Sequence, residues 1–224
     1  MSWVESMSED HISRKIYSKK NFISKSEVNA ILLEIHNLML TKIDNKLLKK
    51  TNLSQMNACY EFIKKKKEWT DIYNKFNKLK TIHSILIPKV LKTAKKMFKK
   101  NKIRILTKGL RVIEKSSLRT YPIHQEYPGM KSKSFLVFWI SLHEIKKLYG
   151  GLLVSKKVIN KPLTHVLDKK KYNILKNQNY WKKQTFEKTF STGELLTIGK
   201  YVQHGTAPKK LGSPRWSCII RVGL

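Results

Sequence analysis

Phe135-Leu-Val-Phe-Trp-Ile-Ser-Leu142 carries no charge and is dominated by aromatic and branched side chains. A run of this length without polar alternation reads as a strand buried on both faces. A sheet therefore passes through the chain, and its flanks decide the fold class. Downstream, Leu152–Val158 is a second strand candidate, and Trp216–Val222 a final one that docks the C-terminus into the sheet. Upstream, the apolar period changes from two to 3.6. Ser24-Lys25-Ser26-Glu27 has the S-x-x-E spacing of a capping box, and Val28, Ile31, Leu32, Ile35, Leu38 and Met39 follow at helical spacing to about Thr41. A second helical period runs through Met56, Cys59, Tyr60 and Ile63. It resumes after a lysine run at Trp69, Ile72, Tyr73, Phe76 and Leu79.

The expected fold is α+β: a helical N-terminal half of three to four helices, then a mixed or antiparallel sheet with one or two helices. A soft boundary between about Asn101 and Ser117 separates a mainly helical region, 1–101, from an α+β region, 102–224. Strands are expected near 103–113, 135–142, 152–158 and 216–222. Ser191-Thr-Gly-Glu194 repeats the S-x-x-E spacing and predicts a further helix through Leu195, Leu196, Ile198, Tyr201 and Val202. His143–Tyr149 reads as a short helix closed by Gly150.

Charge is the outlying property. The 224 residues carry 47 basic against 15 acidic side chains, a net charge of +32. A charge this large opposes compaction unless an anion offsets it. It is densest between Pro88 and Arg111. There Lys89, Lys92, Lys95, Lys96, Lys99 and Lys100 occupy one arc of a helical wheel, opposite Val90, Leu91, Ala94, Met97 and Phe98. A strand, a tight turn at Gly109 and a second strand are expected next, adding Lys102, Arg104, Lys108 and Arg111. No Asp or Glu occurs from Asn74 to Val112. Lys64, Lys65, Lys66 and Lys67 form a further basic run. In a later stretch, Lys169, Lys170, Lys171, Lys182 and Lys183 alternate with Tyr172, Tyr180, Trp181 and Phe186. Exposed aromatics among lysines offer stacking platforms for bases. Phe186 reads rather as a core anchor, and for Trp181 the two readings are balanced. Only six basic residues are Arg, so phosphate contact through mobile lysines, with little base selectivity, is the expected mode.

Catalytic signals are thin. Two or three converging carboxylates, the requirement of a metal-dependent nuclease, are not legible among the sparse acids. His124-Gln-Glu126 matches the H-x-E of zinc deaminases, but the P-C-x-x-C that must accompany it is missing, so the match carries no weight in that role. His36 sits beside an apolar stripe with no ligand partner at helical spacing. Cys59 and Cys218 fit no zinc pattern and read as reduced buried thiols. No nucleotide-binding glycine motif is present.

The expectation is a non-catalytic, strongly basic protein that binds nucleic acid, RNA or single strands favoured, with no metal and no small-molecule cofactor. A viral matrix-like protein on anionic membranes, using Lys89–Lys100 as an interfacial helix, is the competing class. A ribonucleoprotein component and a nuclease follow. The longest apolar run is too short to span a bilayer and no signal peptide is legible, which predicts a soluble cytoplasmic or nuclear protein.

Overall fold

A computed structural model describes residues 15–43, 53–113, 121–130, 134–168, 172–209 and 214–224. It is an α+β structure of three layers: helices, a large antiparallel sheet, and a second layer of short strands.

The helical layer begins with α1 (Lys25–Leu40). Ser24 Oγ accepts the Glu27 N–H at 3.2 Å and the Glu27 carboxylate accepts the Ser24 N–H at 2.8 Å, a complete capping box. Next come α2 (Leu53–Lys65) and α3 (Trp69–Phe76). Between them the lysine run cannot stay on one helical face, and the chain turns at Lys67 with φ 60°. The last of the layer is α4 (Ile87–Phe98). Pro88, in its first turn, has no N–H to donate backwards, and the chain just ahead is widened into a π turn over Ile82–Leu86. Val90, Ala94 and Phe98 face inward.

The large sheet contains β1 (Ile16–Lys19), β2 (Arg104–Ile113), β3 (Phe135–Ser141), β8 (Leu195–Gly199) and β10 (Arg215–Gly223), ordered β1-β8-β3-β10-β2, with every neighbouring pair antiparallel. The uncharged run is its middle strand, buried at every position. Strand alternation divides the two faces. Leu110, Leu136, Phe138, Ile140, Trp216, Cys218, Ile220 and Val222 join the helices in one core. Trp216 fastens the layers: its indole N–H donates to Asn57 Oδ1 at 2.8 Å, and its ring meets Tyr60 and Trp69 edge-on.

The opposite face, with Val137, Trp139, Leu196 and Ile198, packs against Leu152, Val154 and Phe190. The covering strands are β4 (Leu152–Ser155), β7 (Thr185–Lys188) and β9 (His204–Thr206), ordered β7-β4-β9. Residues 121–124 extend this layer beside β9: the Thr206 N–H donates to Tyr121 O, and His124 and His204 exchange two backbone hydrogen bonds. Beyond them Leu175 donates to Ile123 O, bringing up the pair β5 (His165–Leu167) and β6 (Asn173–Leu175). The short helix α5 (Gln178–Lys183) follows.

Three local expectations change. β2 is one continuous strand, not a hairpin: Gly109 keeps strand geometry opposite Ile219, where an added Cβ would lie 3.0 Å from the Tyr73 hydroxyl, so close packing accounts for the glycine. Ser191–Glu194 makes a turn into strand β8, not a helix. Glu194 does reach back to the Ser191 N–H at 2.8 Å, but its other oxygen is held by Ser18 and Lys188, and Gly193 at φ 73° turns the chain. His143–Tyr149 is irregular, because His143 is spent on tertiary bonds.

Candidate active site

His124-Gln-Glu126 lies beside β9 at one end of the space between the sheets. Alternation sends His124 and Glu126 to one side and Gln125 to the other. The buried Gln125 anchors the segment: its amide donates to Tyr201 O at 2.8 Å and Lys161 O at 3.0 Å, and its carbonyl accepts the Leu163 N–H at 2.9 Å. The paired backbones bring His204 alongside His124, with ring centroids 4.3 Å apart. Gly205, next to that ligand, lies flat against the facing segment; a Cβ there would sit 3.0 Å from Tyr121 O and 3.1 Å from Ile123 Cγ1.

The ring nitrogens are sorted by their partners. Nδ1 of His124 is 2.9 Å from Pro122 O, and Nδ1 of His204 is 2.9 Å from Val202 O. A carbonyl pairs only with an N–H, so each Nδ1 carries the hydrogen and each Nε2 presents its lone pair. The two Nε2 atoms lie 3.9 Å (His124) and 3.5 Å (His204) from Glu126 Oε1. Burial, with the neighbouring His204, pushes the His124 imidazole down to about 3, so it stays neutral. Burial opposes the charge of Glu126, but the Arg221 guanidinium outweighs it and holds its carboxyl far below the usual range. Arg221 grips that carboxylate with Nε at 3.0 Å and Nη2 at 2.9 Å, and a β-bulge follows it in β10. Two imidazoles and a carboxylate, with donor atoms within 4.8 Å of one another, suit a divalent transition metal.

The triad opens into a pocket of ≈ 100 Å³. Among its walls are the apolar Val137, Leu152 and Ile198 and three arginines, Arg111, Arg215 and Arg221. Arg215 is 2% exposed, and among the described residues it has no carboxylate partner. Nη1 donates to the carbonyls of Gly150 and Gly151, the latter at 3.2 Å, while Nε is unpaired. Its guanidinium stands 5.3 Å over the Trp139 ring, whose own buried N–H is also unpaired. Burial, helped by the charge of Arg111, lowers the Arg215 pKa to about 9.

The basic residues singled out in the sequence do not build this pocket, Arg111 excepted. Lys64–Lys67 lie on exposed chain at the end of α2, far along the sequence from α4. Lys92, Lys95, Lys96, Lys99 and Lys100 are exposed on and just after α4, and Lys89 is committed to Glu27 at 2.7 Å. Lys102, Arg104 and Lys108 precede or lie on edge strand β2; Lys108 stands 3.0 Å from His83. Lys169–Lys171 lie outside the described residues. Trp181, 8% exposed, is a core residue beside Ile123 and Leu175, whereas Tyr180 and Phe186 are exposed. Lys182 is exposed, and the Lys183 carbonyl accepts from Lys156. His36 is buried 3.5 Å from Cys59, two groups whose burial keeps both neutral.

No family model and no curated protein matches the sequence. Solved structures do match in fold. EvdO2 from Micromonospora carbonacea var. aurantiaca superposes with a TM-score of 0.66 at 13% identity, over 99% of this chain and 93% of that one. The epimerase SnoN in complex with Fe3+, alpha ketoglutarate and nogalamycin RO gives 0.63 at 11% identity, over 94% and 79%. The non-heme monooxygenase ThoJ as its nickel complex gives 0.61 at 10%, over 96% and 75%. The shared feature is the fold.

These findings overturn the expectation of a non-catalytic nucleic-acid-binding or structural protein, and with it the expectation that no small-molecule cofactor is needed. The fold is one that similar solved structures use as non-heme enzymes, and this chain brings three metal-ligating side chains together within it. The lysines that suggested a polyanion have a simpler place: on α4 they are the solvent face of a helix whose other face is core. Among the described residues no helix is long and apolar enough to cross a membrane.

Proposed function

We propose that this chain is a non-heme iron enzyme that uses a 2-oxo dicarboxylic acid such as 2-oxoglutarate as co-substrate. His124, Glu126 and His204 hold the metal, and Arg215 receives the co-substrate's distal carboxylate. The observation that carries the reading is one pocket with a ligand triad and a buried guanidinium that lacks an acid partner. Two imidazoles and one carboxylate leave coordination positions open, the arrangement of non-heme Fe(II) oxygenases. The unpaired Nε of Arg215 and indole N–H of Trp139 are donors without acceptors, and a buried unpaired donor is costly. A carboxylate entering between them satisfies both. The Fe3+ and alpha ketoglutarate of the SnoN complex support the same assignment.

Ferrous iron in this site would supply one-electron chemistry toward O2, with the 2-oxo acid as electron donor. The chain's own residues do the rest. The carbonyls of Pro122 and Val202 fix the imidazole tautomers, and Arg221 fixes the plane of Glu126. Val137, Leu152 and Ile198 keep the cavity apolar around the reacting centre.

Anaerobic titration with Fe(II) and then 2-oxoglutarate, followed by visible charge-transfer absorption, tests the reading. A saturable band in the native protein, absent in His204→Ala and weakened in Arg215→Met with metal binding retained, is expected. No band in the native protein would overturn it.

A further inference from the structure

We infer that the primary substrate of this pocket is an anion, held through a carboxylate or phosphate group by Arg111. The inference rests on the reading of the pocket as a metal and 2-oxo-acid site, and it names what else that site binds.

Arg111 lies on edge strand β2, directly opposite Ser217 of β10. Side chains on one face of a sheet recur at every second residue, so Arg111 shares the pocket side with Arg215 and Arg221 and stands between them along the strand direction. Arg215, two residues from Ser217, is its diagonal neighbour, a relation that spans about 7–8 Å, and Arg221 lies further along the strand. The charge of Arg111 is felt by Arg215 and by Tyr121, which places the guanidinium within electrostatic reach of both. The three arginines then differ in what they hold. Arg221 holds Glu126, and Arg215 lies deep against the carbonyls of Gly150 and Gly151. Arg111 is exposed at the solvent side, and among the described residues it has no carboxylate partner.

The charge of the loaded site leads to the same place. A ferrous ion, Glu126, Arg215, Arg221 and a doubly charged 2-oxo acid together leave one positive charge, and Arg111 makes it two. A planar guanidinium facing a half-dry cavity is matched by a two-oxygen anion, which it binds bidentately. The entrance beside it is aromatic. The Tyr121 ring packs on His124 at 4.5 Å and on the half-exposed Tyr172 at 4.8 Å, so the body of the anion meets rings while its charged end meets Arg111. A neutral or cationic substrate would make no use of this guanidinium on the pocket wall.

The experiment exploits the presence of only six arginines. With arginine labelled in 15N, the protein loaded with diamagnetic Zn(II) and saturating 2-oxoglutarate has six side-chain Nε–Hε signals, and Arg111→Lys identifies one of them. Methyl phosphate and acetate are titrated as probes. The Arg111 signal is expected to move along a saturable curve with at least one probe. In Arg111→Gln the accompanying shift of the Trp139 indole signal weakens at least tenfold, while 2-oxoglutarate affinity changes less than twofold. An unmoved Arg111 signal, with the lysines taking up the probes elsewhere, overturns the inference. So does a probe displaced by 2-oxoglutarate, which would assign Arg111 to the co-substrate. Either result leaves the metal reading intact when the Fe(II) band forms; absence of that band removes both.

Discussion

Two arginines six residues apart on β10 are expected to respond in opposite ways to the same substitution. Arg215→Met removes a guanidinium whose burial lowers its pKa to about 9. The folded state therefore disfavours the charge that the protein carries at neutral pH. At 1.36 kcal/mol per unit this amounts to no more than about 5 kcal/mol against folding. Truncation also frees the Gly150 and Gly151 carbonyls, at about 1–3 kcal/mol each if they stay dry. The balance for the ligand-free protein falls between about 1 kcal/mol of loss and about 3 kcal/mol of stabilisation, the latter up to roughly 10 °C in Tm for a chain of this size. Arg221→Met instead strands the buried Glu126 carboxylate, a loss of about 3–5 kcal/mol. Thermal unfolding of the metal-free proteins, repeated with Fe(II) and 2-oxoglutarate, separates them. Arg215→Met should fall no more than about 4 °C below the native Tm when free, and gain nothing from 2-oxoglutarate. If it falls as far as Arg221→Met, Arg215 is a satisfied structural residue, and the argument from a waiting anion site fails.

Other expectations follow from single contacts. His143 accepts the Trp216 N–H at Nε2 and donates from Nδ1 to Glu144 O, and burial pushes it down to about 4. With the folded pKa below the unfolded 6.5, stability is full above pH 6.5 and falls as pH drops toward 4. Urea titrations should show a loss of about 1–3 kcal/mol across that window, a slope that His143→Gln reduces. Gly193→Ala forces a side chain onto φ 73° and against the Ile23 carbonyl, so a loss of at least about 2 kcal/mol in urea unfolding is expected. Reversing Lys92, Lys95 and Lys96 to Glu should leave Fe(II) and 2-oxoglutarate affinities within twofold, because α4 lies on the far face of the large sheet.

The fold was legible where a local rule had no competitor. The S-x-x-E at Ser24 sits before a long amphipathic period, and nothing else claims Glu27 strongly enough to break the cap. The same four-residue spacing at Ser191 is followed by Leu195–Gly199, buried at every position, and Glu194 is shared with Ser18 and Lys188; sheet burial overrides the cap. His124-Gln-Glu126 was visible as a motif but was tested only against a zinc-deaminase partner. Its true companion, His204, lies on a three-residue strand far downstream, and only sheet pairing joins them. Periodicity cannot reveal a partner brought in by so short a strand. Arg215 was equally invisible: sequence shows a positive charge, and only burial shows that its acid is missing. Net charge misled because α4 satisfies both a solvated surface and an anion-binding face by the same pattern.

Gly205 decides how far apart the two imidazoles stand. Its backbone touches residues 121 and 123 with nothing between but hydrogen, closer than a side-chain carbon ordinarily comes. A single methyl group there would lift the 121–124 segment by tenths of an ångström and carry His124 with it. Ionic radii of the first-row metals differ by no more than that. The spacing of the two imidazoles is thus set by main-chain packing at a residue with no side chain, not by any group that reaches the site.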